Sequence, residues 1–245
     1  MDGRAVVRAR SMRIGLLLFC AFSLSPLVLY AQSVFEKAGN IFLRRADGQT
    51  EQLTSSGKDF DPSLSRDGKL VVFIRSTPDR PIEVFGLDAH ANEIWIVDIE
   101  GKHPQLILGG GKLVPPAFRE GYPVAPIATP QFSLDGRDIY FVSAGGATDA
   151  PILKVNVATH QVTEIAWGHT VKVLREGASQ GCLVVDKHKY FVEGGSYDWY
   201  WLLSPNGEEI GPIGDEGQQV EQFNEMSESI DYCRPVAERT ATSRK

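Results

Sequence analysis

The sequence predicts an all-β fold, and three observations favour this class. Its 245 residues include 24 Gly and 14 Pro, a composition that suits many turns better than long helices. Short apolar runs recur between these turns with a spacing of about 50 residues, the period of a repeated β-sheet unit. Runs such as Leu70–Ile74 contain no polar residue, which is typical of strands buried on both faces.

One recurring unit is a β-hairpin. In the second copy, the run Glu93–Val97, apolar after its first residue, leads through Glu100-Gly101 into Gln105–Ile107. Acidic-Gly and Asn-Gly pairs favour tight hairpins because their residues accept positive φ angles. The four copies cover residues 40–53, 93–107, 152–165 and 199–210.

A second unit lies between these hairpins. The pattern P-x-[apolar]-S-x-D-G-[KR] occurs at residues 62–69 and 130–137, and an apolar strand follows each copy. It predicts that Asp67-Gly68 and Asp135-Gly136 are tight turns between antiparallel strands. A degenerate third copy spans residues 171–185.

This repeat resembles that of TolB-like β-propellers over residues 38–214. The resemblance implies four-stranded antiparallel blades whose inner strands line a central channel. The same repeat occurs in the propeller domains of prolyl oligopeptidase-like enzymes, so it predicts fold better than function. We count about 3.5–4 blades, where propellers usually have four to eight. We therefore expect a β-propeller-like array that is minimal, incomplete, or completed by a second copy in a homodimer.

The N-terminal segment predicts export. Basic residues at Arg4, Arg8, Arg10 and Arg13 precede the apolar run 14–22, and Ala31 is a plausible cleavage point. We interpret residues 1–31 as a signal peptide, which implies a periplasmic or secreted protein. The alternative is an uncleaved anchor, which would be the protein's only contact with a membrane.

Residues 32–214 form the predicted repeat domain, and residues 215–233 predict a short helix that packs on it. The polar residues 234–245 predict a disordered tail. Beyond the signal segment two cysteines remain, Cys182 and Cys233. In an oxidising compartment an even pair is a candidate disulfide, and two unpaired thiols are the alternative.

No motif carries a convincing catalytic, cofactor or metal signature. Residues 177–181 match G-x-S-x-G, but an apolar β-run follows them where a nucleophile elbow needs a helix. The five histidines do not have the H-x-x-x-H spacing of zinc sites. We therefore predict neither a cofactor nor a metal.

An aromatic group at Tyr197, Trp199 and Trp201 is the candidate partner surface. Strand alternation places these three residues on one face. They form either an exposed surface for a partner or part of the packing between blades.

These observations favour a non-catalytic, exported propeller scaffold that binds a protein or a cell-envelope component. The formal net charge of −6 argues against nucleic acid as the partner. The alternatives are a propeller-type lyase or hydrolase, or a carbohydrate-binding module, with a site at the central channel.

Overall fold

The structure is a computed structural model. It describes residues 31–84, 87–111, 124–146, 148–215, 217–226 and 233. The predicted signal segment, apart from Ala31, and the predicted tail 234–245 lie outside these residues. No helix in the described part of the chain is long and apolar enough to cross a membrane.

The regular secondary structure of the described chain is almost all β-strand, and its single helix follows the last strand. The strands are β1 (Ser33–Lys37), β2 (Asn40–Arg44), β3 (Thr50–Gln52), β4 (Asp59–Leu64), β5 (Leu70–Val84), β6 (Leu87–Asp98), β7 (Gln105–Leu108), β8 (Ala128–Phe132), β9 (Asp138–Val142), β10 (Ala150–Asn156), β11 (Val162–Gly168), β12 (Thr170–Val173), β13 (Leu183–Tyr190), β14 (Ser196–Leu203) and β15 (Glu209–Gly214). The helix is α1 (Gly217–Met226).

The strands form four antiparallel sheets, which we call blades. Blade 1 contains β1–β3, blade 2 β4–β7, blade 3 β8–β11 and blade 4 β12–β15, each in sequence order across its sheet. Blades 2 to 4 have four strands and blade 1 has three. The predicted fold class, a β-propeller-like array of four-stranded antiparallel blades, is therefore confirmed.

Face-to-face stacking of the blades explains the apolar runs without alternation. In β5, Val71 and Phe73 pack against blade 1, whereas Val72 and Ile74 pack against blade 3. All four side chains are fully buried, because successive residues of a strand point to opposite faces and a blade covers each face. The same division recurs in β9, where Tyr140 faces blade 4.

The two Asp-Gly pairs lie in tight turns between antiparallel strands. Asp67-Gly68 joins β4 to β5, and Asp135-Gly136 joins β8 to β9. The φ angles of Gly68 and Gly136 are +71° and +72°, a region that residues with a Cβ rarely adopt.

A serine stabilises each of these turns from inside. Ser65 Oγ donates to Asp67 Oδ1 over 2.7 Å and accepts from Leu70 N over 3.0 Å. Ser133 Oγ donates to Asp135 Oδ1 over 2.8 Å in the equivalent position. The serine and aspartate of the repeat therefore satisfy each other's hydrogen-bonding groups and those of the turn backbone.

The outer face of blade 4 is covered by the C-terminal region. Val220 of α1 and Cys233 pack with the buried apolar side chains of this face, including Val184 and Leu202. Cys182 and Cys233 form a disulfide with a Cα–Cα distance of 5.0 Å, within the usual range. The helix covers Gly217–Met226 of the predicted segment 215–233, and residues 216 and 227–232 lie outside the described residues.

Candidate functional site

The hairpin of β13 and β14 is the most exposed aromatic element of the described chain. Its cross-strand pairs run from Leu183–Leu203 at the buried end to Tyr190–Ser196 at the tip. Burial decreases along both strands toward this tip. Positive φ angles at Gly194 and Gly195 allow the chain to reverse there.

One face of this hairpin carries a continuous row of rings. The ring of Phe191 lies 4.7 Å from that of Tyr197, which lies 5.0 Å from that of Trp199, measured between centroids. Phe191 is 55% exposed and Trp199 is 36% exposed. We call Phe191, Tyr197 and Trp199 the aromatic surface.

The structure divides the three aromatic residues that the sequence singled out. Trp201 lies on the same face but packs against the core between blades 3 and 4, and Lys189 Nζ covers its ring at 4.1 Å. Tyr197 and Trp199 lie nearer the tip of the hairpin, where the core no longer covers them. Phe191 was missed by the sequence reasoning, although its place in Tyr190–Val192, just before a Gly-Gly turn, was a usable signal.

Two lysines beside the aromatic surface are paired with one carboxylate. Glu209 accepts from Lys187 Nζ over 2.6 Å and from Lys189 Nζ over 2.9 Å. Burial opposes the charge of Glu209, but these hydrogen bonds keep its pKa below the ordinary value. The surface is therefore apolar at its centre, and these three border groups together carry one net positive charge.

The opposite face of the hairpin carries polar groups. His188 Nδ1 lies 2.6 Å from Asp198 Oδ1, and the His188 ring meets the edge of Tyr190 at 4.9 Å. The backbone N–H of His188 donates to Asp149 Oδ1 over 3.2 Å. This bond ties the hairpin to blade 3.

A histidine with two acidic neighbours lies where the chain enters blade 4. His169 Nδ1 is 3.4 Å from Asp186 Oδ2, and Nε2 is 3.6 Å from Asp149 Oδ1. Burial disfavours the charged ring, but hydrogen bonds to the carbonyl of Thr148 and to Asp186, together with both negative charges, raise the pKa of His169. The protonated ring therefore stabilises the junction between blades 3 and 4.

A second polar region joins the inner strands of the blades. The backbone N–H of Thr129 on β8 donates to Asp61 Oδ2 on β4 over 2.6 Å. On β8, Gln131 Nε2 donates to the carbonyl of Val171, and Gln131 Oε1 accepts from the N–H of Val173 on β12. These bonds connect blade 2 to blade 3 and blade 3 to blade 4.

Arg175 connects blade 4 back to blade 2, and it thereby closes these contacts between the inner strands into a circuit. It follows β12, and its Nη2 donates to Ser63 Oγ on β4 over 3.1 Å. Blade 4 thus contacts blade 2, which is not its neighbour in the stack. The guanidinium is half-buried, and burial lowers the pKa of Arg175.

The serine of the G-x-S-x-G match has no access to solvent. Ser179 is fully buried in the connection between β12 and β13, and a strand follows it. A nucleophilic serine must reach its substrate, so this geometry favours the structural interpretation of Ser179.

The fold defines a β-propeller-like array, and solved structures of that kind resemble the chain. The β-propeller domain of the Trilobed protease from Pyrococcus furiosus is 14% identical with a TM-score of 0.45, over 78% of this chain and 50% of that chain. Dipeptidyl peptidase 4 from Porphyromonas gingivalis is 13% identical with a TM-score of 0.45, over 76% of this chain and 31% of that chain. TolB from Acinetobacter baumannii is 14% identical with a TM-score of 0.41, over 75% of this chain and 52% of that chain.

The chain therefore spans about half or less of the length of these three structures. No family model matches the chain, and no curated protein matches it. At these identities and TM-scores, no activity is transferred from those proteins.

Proposed function

We propose that the protein is an exported, non-catalytic binding protein whose aromatic surface binds a protein partner. The observation that carries this proposal is the row formed by Phe191, Tyr197 and Trp199 on a hairpin that extends beyond the core. Aromatic side chains are enriched at the centres of protein interfaces and contribute much of the binding energy there. With Phe191 and Trp199 exposed and Tyr197 partly exposed between them, they indicate a surface that a partner covers.

The orientation of the rings favours a protein over a carbohydrate. The planes of Phe191 and Tyr197 are inclined by 38°, and those of Tyr197 and Trp199 by 64°. Such rings do not form one flat platform on which successive sugar rings could stack. They form ridges and hollows instead, which apolar side chains of a protein can fill. A carbohydrate-binding module is therefore the second candidate.

The proposal is tested with a partner captured from envelope extract, identified, purified and then titrated by calorimetry. Trp199→Ala should weaken this binding by about 30-fold, as expected when an interface anchor is truncated. Phe35→Ala is the matched control, because Phe35 stacks on Phe42 at 5.6 Å in blade 1, away from the hairpin. Equal affinity of the wild-type protein and Trp199→Ala would refute the proposal. Binding of an envelope oligosaccharide, lost in Trp199→Ala, would favour the second candidate.

Export is tested separately by N-terminal sequencing of the protein from the envelope fraction. We expect a mature chain that begins near Ala31, because a basic segment and an apolar run precede it. A chain that begins at Met1 or Met12 would contradict cleavage.

A further inference from the structure

In the described part of the chain, the circuit of inner-strand contacts includes one cation, Arg175, that pairs with no carboxylate. Arg175 carries five N–H donors on its guanidinium side chain. Among the described residues, the hydrogen bond that this group makes is to the neutral hydroxyl of Ser63. No described carboxylate forms a salt bridge with it. A half-buried charge of this kind is usually paired, because removing it from water is costly.

The carboxylates of the neighbouring inner strands and turns have other partners. Asp61 accepts from the backbone N–H of Thr129. Asp67 and Asp135 accept from the serines of their own turns. Asp59 is fully buried and makes two hydrogen bonds, of 2.6 and 2.9 Å, to Arg75. Among the described residues, none of these carboxylates forms a salt bridge with Arg175, so its charge is available to an added anion.

Two further features lie along the same strands. Thr129 Oγ1 is buried without a hydrogen-bond partner in the described structure, which makes it a second group that could bind a polar ligand. A cavity of about 470 Å³ is lined by the turns that follow β4 and β8, including Arg66, Asp67 and Asp135. Arg175 follows β12, the corresponding first strand of blade 4.

We propose that Arg175 binds the carboxylate group of a ligand that enters between the inner strands of blades 2 and 4. A carboxylate matches the planar fork of a guanidinium, which can donate two parallel hydrogen bonds to it. Its single negative charge also balances the single positive charge of Arg175. The carboxylate belongs either to a free small acid or to the C-terminus of a peptide.

This site is independent of the proposed function. Arg175 precedes the buried beginning of β13, whereas the aromatic surface lies at the far end of that strand. A variant that loses carboxylate binding can therefore still be tested for binding of the protein partner, and a variant that loses partner binding can still be tested for binding of a carboxylate.

The test is calorimetric titration of the full mature chain with three probes at constant ionic strength. The probes are succinate, acetyl-tetra-alanine with a free C-terminus, and the same peptide with an amidated C-terminus. We expect saturable binding of succinate or of the free-acid peptide, and none of the amide. Binding of succinate alone assigns the site to free acids, and binding of the peptide acid alone assigns it to chain termini. Absence of saturable binding by both acids would overturn the proposal.

Variants distinguish a ligand site from a purely structural contact. Arg175→Met should weaken binding by at least about tenfold, the loss expected for one charge-assisted hydrogen bond. Arg175→Lys keeps the charge without the fork and should bind with intermediate affinity, which also covers the case in which Arg175→Met does not fold. Arg137→Met is the control for charge, because Arg137 is highly exposed on a neighbouring turn, and its binding should be unchanged.

Ser63→Ala provides the decisive comparison. It removes the hydroxyl that Arg175 contacts and leaves the guanidinium available, so the acid should still bind. Loss of binding in Ser63→Ala as large as in Arg175→Met would mean that closure of the circuit, and not contact with the carboxylate, is the role of Arg175. Equal binding by the wild-type protein and a folded Arg175→Met would also overturn the proposal.

Discussion

The connection between the first two strands of blade 4 differs from the corresponding turns of blades 2 and 3. In blades 2 and 3, a serine and an aspartate two residues apart satisfy the turn by local hydrogen bonds. In blade 4, Leu174 occupies the position of the serine: its N–H donates to the carbonyl of Cys182, as the N–H of Ser65 donates to Leu70. This connection is longer and lacks the Ser-x-Asp-Gly pattern.

Distant contacts replace the local ones in blade 4. Cys182 is bonded to Cys233, and Gly181 lies against the backbone of Cys233. Arg175 reaches across to Ser63 on blade 2. The comparison shows that the same hairpin geometry can be stabilised by a short motif or by groups far away in the chain. Stability should therefore respond differently to substitutions in the two kinds of turn.

The largest effect is expected from removal of the disulfide. The double variant Cys182→Ser, Cys233→Ser should lose about 2–4 kcal/mol of unfolding free energy, because the bond closes a long loop in the unfolded chain. The two cysteines are 51 residues apart in sequence. Denaturant unfolding followed by tryptophan fluorescence measures the loss, and reduction of the wild-type protein should reproduce it. Two alkylatable thiols in the native protein would contradict the bridge.

The next effect compares two glycines with positive φ. In Gly181→Ala the new Cβ would lie 2.0 Å from the carbonyl oxygen of Cys233, with φ at +92°. In Gly136→Ala it would meet no atom within 4 Å, with φ at +72°. We expect a loss of about 1 kcal/mol for Gly136→Ala from backbone strain alone. Gly181→Ala should lose at least about 3 kcal/mol, because a steric clash adds to the strain. Equal losses in denaturant unfolding would show that Cys233 does not press on Gly181.

A smaller effect is expected at the serines of the regular turns. Ser65→Ala and Ser133→Ala should each cost about 1 kcal/mol, the usual value of a hydrogen bond. The hydrogen bond from Ser65 is the main reason that the pKa of Asp67 lies below its ordinary value, so Ser65→Ala should raise this pKa. A carboxyl group whose pKa is lowered by folding stabilises the protein at pH values above its ordinary pKa. This contribution is lost as the pH falls through the pKa of the folded state. An NMR titration of the Asp67 carboxyl checks the shift, with Ser133→Ala as the variant that leaves it unchanged.

The smallest effect concerns the strand that enters blade 4. Because the pKa of His169 is raised in the folded protein, its contribution to stability is complete below the ordinary pKa of 6.5. It is lost as pH rises through the folded value. His169→Gln should therefore remove a small decrease in unfolding free energy that begins as pH rises above the ordinary pKa of 6.5. The effect is small because the side chain is 38% exposed and solvent screens its ion pairs. An unchanged pH profile in His169→Gln would exclude this role.

The sequence predicts the repeated hairpins well, since they depend on short-range rules. Strand alternation, apolar runs and Asp-Gly pairs act within about ten residues, and they identify the inner and outer hairpins of blades 2 to 4. Strand β1 was missed because its turn to β2 uses Ala38-Gly39, with φ angles of +52° and +71°. Alanine seldom adopts positive φ, so the pair gives no turn signal.

The candidate sites depended on tertiary structure. Alternation places Trp199 and Trp201 on one face of β14, but only the position of blade 3 decides that Trp201 is in the core and Trp199 is not. Arg175 and Ser63 are separated by 112 residues, and no local pattern predicts their contact. The sequence by itself determined the strands, the turns and the class of fold, because sterics and periodicity act between near neighbours. Which side chains are covered, exposed or brought together was decided only when the blades stacked, because burial depends on residues far away in the chain.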